Sequence, residues 1–141
     1  MIKGVRIEDA GKVITFDAEG RENGFLTELF KDGEKTVVYL SAIKPGGFKG
    51  FHLHKIRSAR YICLRGKAKI TLYYDKVWEE HILDAAKPER LSIPAKVATG
   101  LANIGNEEVW LVNYPDPPYD PKLKGEQVEY TREELEKGIV K

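Results

Sequence analysis

Two histidines separated by one residue lie in the segment 46–54, whose sequence is GGFKGFHLH. Side chains at positions i and i+2 of a strand face the same side, so the imidazoles of His52 and His54 are expected to converge on one spot. Two imidazoles at one spot suit proton transfer or metal ligation. A surface strand that carries two histidines by chance is the alternative, but the glycine-rich turn and the apolar residues around the pair favour a functional site.

Length, composition and charge narrow the class of protein. The chain has 141 residues, of which 42% are hydrophobic and 32% are charged, as in an ordinary globular domain. A net charge of +1 gives no electrostatic reason to expect nucleic acid or a membrane as a partner. No apolar run could span a bilayer and the N-terminus lacks the apolar segment of a signal peptide, so a cytoplasmic location is expected. Cys63 is the only cysteine, and its apolar neighbours predict a buried, unreactive thiol.

Strand patterns recur at short intervals before residue 115. Alternating, β-branched or aromatic runs predict strands at 5–7, 12–16, 24–30, 36–40, 52–54, 60–64, 67–74, 80–83, 90–93, 98–103 and 109–114. In the run 67–74, Ala68, Ile70 and Leu72 form an apolar set that should face a core. About ten short strands with regular turns predict an all-β sandwich or barrel.

The last part of the chain differs from the strand region. Residues 115–121 form a proline-rich loop. The segment from Thr131 to Glu134 matches a capping box, which predicts a short C-terminal helix over about 131–138 that ends near Gly138. We therefore expect a single domain, 1–141, with its barrel at about 24–115.

The order of these features resembles the cupin family, whose barrel holds ligands in its mouth. Gly46, His52, His54 and Gly66 fit the first cupin motif, and Pro94 and Asn103 fit the second at the right spacing. The resemblance implies an all-β fold, a cupin-type double-stranded β-helix (jelly-roll barrel) with a short C-terminal helix.

The cupin motifs also bear on metal binding. A cupin metal site uses three histidines and a glutamate, but the glutamate position here is Ala59 and the third histidine position is Thr99. Two neutral imidazoles alone are a poor site for a transition metal, and His81 lies in a charged stretch that is expected to face solvent. No metal and no other cofactor is therefore expected. A weakly held metal, completed by water or substrate, stays an alternative.

A closer resemblance is to the dTDP-4-dehydrorhamnose 3,5-epimerases and related dTDP-sugar isomerases. Three segments carry it: GFLTELF at 24–30 is similar to the G-x-F-x-E-x-F strand, KGFHLH at 49–54 to the R-G-x-H-x-Q segment, and 91–121 to the I-P-x-G-x-A-H-G stretch with its tyrosine-proline loop. The H-x-H-K segment at 52–55 looks more like the dTDP-sugar 3,4-ketoisomerases, which use two histidines where the epimerases have histidine and glutamine.

The resemblance implies a metal-independent epimerase or ketoisomerase that acts on a nucleotide-linked 4-keto-deoxysugar by enolisation. His52 would take a proton from the carbon beside the ketone, and His54 would return one or polarise the carbonyl oxygen. Tyr119, in a loop at the barrel mouth, would be a general acid, unless it only packs against the neighbouring prolines. The resemblance also implies a homodimer.

Four further residues are candidate substrate contacts. Lys49 stands where the epimerases have an arginine and keeps the charge without the bidentate geometry; Lys49 and Arg60 would contact phosphate. Thr99 and Asn113 stand where the epimerases have a histidine and often a tyrosine. The losses at Ala59 and Thr99 favour one alternative, a non-catalytic cupin that binds a sugar or small acid; a metal-binding cupin is the other alternative.

Overall fold

The computed structural model describes residues 2–11, 13–16, 22–26, 29–30, 38–117, 120 and 122–141. These residues contain twelve strands and one short helix: β1 (Arg6–Asp9), β2 (Val13–Phe16), β3 (Glu22–Leu26), β4 (Tyr39–Ile43), β5 (Phe48–His54), β6 (Ala59–Arg65), β7 (Lys67–Tyr74), β8 (Val77–Asp84), β9 (Glu89–Ile93), β10 (Ala98–Asn103), β11 (Val109–Asn113), β12 (Gln127–Glu129) and α1 (Arg132–Glu136). Within them, no helix has the length and apolarity that a membrane crossing requires.

The strands form two five-stranded sheets and a small hairpin. The first sheet has the order β1-β9-β6-β11-β4, the second has the order β12-β5-β10-β7-β8, and β2 pairs with β3. Every pairing of these strands is antiparallel, and most neighbours in a sheet are distant in sequence. This arrangement confirms the all-β jelly roll of the cupin type.

The hydrophobic core lies between the inner faces of the two sheets. The second sheet supplies the apolar set of β7, whose members Ala68, Ile70 and Leu72 are fully buried as their alternation predicts. The first sheet supplies residues such as Leu91 and Leu111, which are also fully buried. Burial of apolar surface on this scale is the main stabilising contribution to such a fold.

A second apolar cluster covers the outer face of the second sheet. Phe51 of β5 packs there with Tyr130 and with Leu135 of the C-terminal helix. The predicted capping box is present, because the Thr131 hydroxyl accepts from the backbone N–H of Glu134 and the Glu134 carboxylate accepts from the backbone N–H of Thr131. The helix is therefore positioned to cover this face.

Candidate active site

A β-bulge in β5 brings candidate side chains from both ends of the strand to one side. In the register with β10, two residues of β5, Gly50 and Phe51, lie opposite the single residue Gly100. A bulge of this kind shifts the alternation of the strand by one position. Side chains before and after the bulge therefore line the same pocket: Lys49, His52 and His54.

The bulge depends on Gly50. Its φ of +129° lies in the region that favours glycine, and a Cβ at this position would lie 2.6 Å from the carbonyl oxygen of Thr99. Because that contact is with backbone, the strand itself would have to move to admit a side chain.

The pocket has a volume of about 310 Å³ and is walled by both sheets. Such a volume is within the range of small-molecule sites. The first sheet contributes Tyr39, Ser41, Tyr61 and Asn113; the second contributes Lys49, His52, His54, Leu101 and Gln127; and Arg57 lies on the connection from β5 to β6. The pocket thus continues the space between the sheets past the apolar core, and polar groups line it.

Two pocket side chains are fixed by hydrogen bonds, one of which crosses the barrel. The Lys49 ammonium donates to the Ser41 hydroxyl at 2.9 Å, which joins the two sheets. The Asn113 side-chain oxygen accepts from the backbone N–H of Arg60 at 3.2 Å. Burial raises the pKa of Tyr61 to about 12, so its hydroxyl keeps its proton and can act as a hydrogen-bond donor.

A buried ion pair supports the wall beside His54. The Arg57 Nε donates to Glu126 at 2.8 Å, and the side chains are only 9% and 6% exposed. The second oxygen of Glu126 accepts from the backbone N–H groups of Ile56 and Arg57. Burial raises the pKa of Glu126, but the hydrogen bonds from Arg57 and Ile56 outweigh it and hold the pKa below its ordinary value. The carboxylate is therefore charged, as a partner for a buried guanidinium must be.

Gln127 connects this ion pair to the histidines. Its side-chain oxygen accepts from the Arg57 guanidinium at 3.0 Å and lies 3.3 Å from His54 Nε2. Its side-chain nitrogen lies 3.4 Å from His52 Nδ1. The pairing of β12 with β5 places Gln127 opposite His54 and Glu129 opposite His52.

The two imidazoles have different electrostatic surroundings. Burial lowers the pKa of His54, the Arg57 charge lowers it further, and the smaller opposing effects of Glu126 and Gln127 do not restore it. His52 is 29% exposed, and its Nδ1 lies 3.5 Å from the carboxylate of Glu129, which is 74% exposed. His54 is thus a neutral ring near pH 7, whereas His52 is the ring that faces a carboxylate.

The model of the polysaccharide biosynthesis C-terminal domain family matches residues 19–126 of this chain. The chain belongs to that family. A comparison with curated proteins gives no match.

Solved structures similar to this family member include several that are described as sugar-modifying proteins. A dTDP sugar isomerase from Desulfovibrio desulfuricans G20 superposes with a TM-score of 0.75 at 20% identity, over 92% of this chain and 85% of that one. QdtA, a sugar 3,4-ketoisomerase from Thermoanaerobacterium thermosaccharolyticum in complex with TDP, gives a TM-score of 0.73 at 20% identity, over 99% and 100%.

The capsular polysaccharide assembling protein CapF from Staphylococcus aureus gives a TM-score of 0.63 at 21% identity, over 84% of this chain and 34% of CapF. The family member described here therefore spans about a third of CapF. At these identities the likeness establishes the common fold, and it confirms the fold that the cupin resemblance implied.

Two candidate residues, Thr99 and Arg60, do not line this pocket, and a third lies outside the described residues. Thr99 is buried, and its hydroxyl donates to the carbonyl of Val97 at 3.3 Å. The Arg60 guanidinium lies 4.0 Å from the centre of the Tyr114 ring, and its Nε donates to the Tyr114 carbonyl. Tyr119 lies outside the described residues. The roles of all three stay predictions.

Three residues of the site had no signal in the sequence motifs: Arg57, Glu126 and Gln127. Arg57 is close to the histidines in sequence, but Glu126 lies 69 residues further along the chain. A glutamate just before a three-residue strand and a glutamine at its first position have no distinguishing pattern. Only the pairing of β12 with β5 brings them to the pocket.

The donor set of this pocket does not fit a cupin metal centre. Within the part of the chain that the structure describes, no three His, Cys, Asp or Glu side chains are grouped so that they could hold a metal ion. Ala59, at the glutamate position of the motif, is buried and supplies no donor. The expectation that His81 faces solvent is wrong, because its side chain is only 12% exposed and its Nε2 lies 2.6 Å from Glu79.

Proposed function

We propose that this protein is a metal-independent epimerase or ketoisomerase that acts on a nucleotide-linked 4-keto-deoxysugar. The observation that carries the proposal is the pair of histidines in one pocket, joined by Gln127. The likeness in fold to a dTDP sugar isomerase and to a sugar 3,4-ketoisomerase supports the choice of substrate class.

Two imidazoles are sufficient for the proposed chemistry. A hydrogen on the carbon beside a ketone is acidic, and a neutral imidazole can remove it while a donor protonates the carbonyl oxygen, which gives an enol, or an enediol where that carbon carries a hydroxyl. Return of a proton to the opposite face of the same carbon gives the epimer. Protonation of the former carbonyl carbon, with loss of the proton from the neighbouring hydroxyl, moves the ketone by one position.

The other pocket groups have supporting roles in this proposal. The Lys49 ammonium is the cation proposed to contact the diphosphate, and its hydrogen bond to Ser41 fixes its position at the pocket wall. Tyr61 and Asn113 line the same pocket and can hydrogen-bond sugar hydroxyls. The volume of about 310 Å³ is suited to a hexose ring rather than to a whole nucleotide-sugar, so the nucleoside would lie outside it.

The second candidate function is a binding module without turnover. Thr99 favours it, because the residue at the epimerase histidine position is buried and its hydroxyl donates to Val97. In that case the pocket would hold a sugar or small acid, and the histidines would be ligand contacts.

The proposed experiment measures solvent exchange of the sugar. The protein is incubated with dTDP-4-keto-6-deoxyglucose in deuterated water, and NMR follows deuterium at C3, C4 and C5 against a sample without protein. We expect exchange, and its position separates the activities, since a ketoisomerase labels at C3 and C4 as the ketone moves. His52→Asn and His54→Asn should lower the rate by about 10²–10⁴-fold.

The matched control is His81→Asn, which removes the third histidine and leaves the pocket intact. Its exchange rate should equal that of the wild type. Binding of the nucleotide-sugar with no exchange would overturn the enzymatic proposal in favour of the binding module.

We also propose that the protein is a homodimer. Large apolar side chains on the first sheet are exposed in the single chain, among them Leu40 at 58%, Leu64 at 45% and Trp110 at 37%. These three residues lie on the neighbouring strands β4, β6 and β11, and an exposed apolar patch is typical of an interface. Light scattering on the purified protein should give twice the chain mass, and a monomer mass at all concentrations would contradict the proposal.

A further inference from the structure

The side-chain amide of Gln127 contacts both histidines at once, and it contacts them with chemically opposite ends. Its oxygen lies 3.3 Å from His54 Nε2, and its nitrogen lies 3.4 Å from His52 Nδ1. An amide oxygen can only accept a hydrogen bond, and an amide nitrogen can only donate one.

Arg57 determines which end of the amide faces which histidine. The two ends of an amide have nearly the same shape, so its orientation has to be inferred from its partners. A guanidinium has only donors, and Arg57 contacts the amide at 3.0 Å, so the atom there must be the oxygen. Arg57 is itself held by the buried carboxylate of Glu126. The orientation of Gln127 is therefore fixed by a buried ion pair.

This orientation determines which ring nitrogen of each histidine carries the proton when the ring is neutral. His54 Nε2 faces an acceptor and so carries the proton of the neutral ring, which leaves the lone pair on Nδ1. His52 Nδ1 faces a donor and so carries the lone pair, which leaves the proton on Nε2. Within the described residues, neither His54 Nδ1 nor His52 Nε2 has a hydrogen-bonding partner. Of these two nitrogens, His54 Nδ1 has the lone pair and can act as a base, and His52 Nε2 has the proton and can act as an acid.

We propose that Gln127 is a positioning residue that makes His54 the base, through Nδ1, and His52 the proton donor, through Nε2. This inference rests on the proposed function, and it reverses the order expected from the sequence, in which His52 takes the proton. In the reaction, His54 Nδ1 would accept the hydrogen of the carbon beside the ketone. His52 Nε2 would protonate the carbonyl oxygen and recover a proton in the return step.

Glu129 acts against Gln127 at His52. Its carboxylate, 3.5 Å from Nδ1, favours a proton on that nitrogen. Glu129 is 74% exposed and therefore screened by water, whereas Gln127 is held by groups that are less than a tenth exposed. Gln127 therefore sets the tautomer of the neutral His52 ring. The other ionisable groups of the pocket are Lys49, Arg57, Tyr39 and Tyr61, with Glu126 behind Arg57.

The direct test is the tautomer of His52 in the free protein. Two-bond ¹H–¹⁵N correlation spectra of ¹⁵N-labelled protein above the pKa of both histidines report which ring nitrogen carries the proton. We expect the proton on Nε2 of His52 in the wild type. In Gln127→Leu the carboxylate of Glu129 acts alone, and most of the population should move to the Nδ1–H form.

The double variant Gln127→Leu with Glu129→Gln is the matched control. It lacks both the amide and the carboxylate beside His52 Nδ1, and His52 should return to the Nε2–H form. A His52 proton on Nδ1 in the wild type, or a tautomer that does not respond to Gln127→Leu, would overturn the inference. These spectra need no substrate, so they are informative even if the solvent exchange experiment finds no enzyme.

A second readout is the pH profile of exchange in Gln127→Glu. A carboxylate at this position would raise the pKa of His54, so the acid limb of the profile should move to higher pH. A lower rate at all pH values with an unmoved acid limb would show a merely structural role and contradict the inference.

Discussion

The two faces of β5 differ in almost every property, although they are made by the same seven residues. The inner face carries Lys49, His52 and His54 and forms a polar pocket. The outer face carries Phe51 in an apolar cluster beneath the C-terminal helix, where its ring lies 5.7 Å from that of Trp78. The outer face therefore contributes stability and the inner face is available for chemistry. Substitutions on the two faces should separate these two quantities.

The largest effect on stability is expected from Phe51→Ala on the outer face. Phe51 is 5% exposed, and removal of a buried phenyl ring costs about 3–5 kcal/mol of unfolding free energy. Urea unfolding measures this loss. Phe48→Ala is the control, because Phe48 is 52% exposed and should cost about 1 kcal/mol. Equal losses in the two variants would contradict the assignment of Phe51 to the cluster.

The next largest effect is expected at Gly50, because the bulge there determines which side chains of β5 face the pocket. Gly50→Ala places a Cβ against the Thr99 carbonyl and an L-residue at φ +129°, so we expect a loss of about 2–4 kcal/mol. The bulge places Lys49 and His52 on the same face of β5, so nucleotide-sugar binding should weaken in the folded fraction of the variant. Gly125→Ala is the control, since φ is +75° there but no atom lies within 4 Å of the added Cβ. Its loss should be about 1 kcal/mol and should leave binding unchanged.

A smaller effect is expected from pH on the inner face. The pKa of His54 is lowered from 6.5, so below that pH the unfolded chain binds more protons than the folded chain. The stability that His54 contributes is complete above about pH 6.5 and is lost as the pH falls through its folded pKa. Unfolding free energies from pH 8 to 4.5 should therefore fall less steeply for His54→Asn than for the wild type. Parallel curves would show that His54 is not buried as described.

The smallest effect is expected at Lys96, whose backbone lies beside the end of β5. Its φ is +73°, and its backbone N–H donates to the His54 carbonyl at 2.7 Å. Lys96→Gly removes the strain of an L-residue but gives the unfolded chain more freedom, so the net gain should be about 0.5 kcal/mol. Lys96→Ala keeps the strain and should change the melting temperature little. A loss of stability in Lys96→Gly would show that the lysine side chain has a stabilising contact.

The sequence predicted those parts of the molecule that depend on local pattern. Apolar alternation identified the inner face of β7, and the capping box at Thr131 identified the helix. The spacing of His52 and His54 predicted that both would face one spot, and they line one pocket. The second cupin motif has a glycine two residues after its proline, and that position is Lys96 in this chain. The structure has a backbone conformation there that favours glycine.

The parts that the sequence could not provide depend on contacts between distant segments. Strand alternation alone would place Lys49 and His52 on opposite faces, and only the bulge opposite Gly100 brings them together. The pairing of Arg57 with Glu126, 69 residues apart, has no local signal. The environment of His81 was mispredicted in part for the same reason: its partner Glu79 is two residues away in sequence, but Glu79 also accepts from the backbone N–H of the distant Ile2.

The central claim is that the two inner-face histidines move protons on a keto sugar. The most direct measurement is the rate at which the hydrogen beside the ketone of dTDP-4-keto-6-deoxyglucose exchanges with deuterated water, at equal concentrations of folded wild type, His52→Asn and His54→Asn. We expect rapid exchange with the wild type and a loss of about 10²-fold or more with each variant. A rate in both variants equal to that of the wild type would contradict the account.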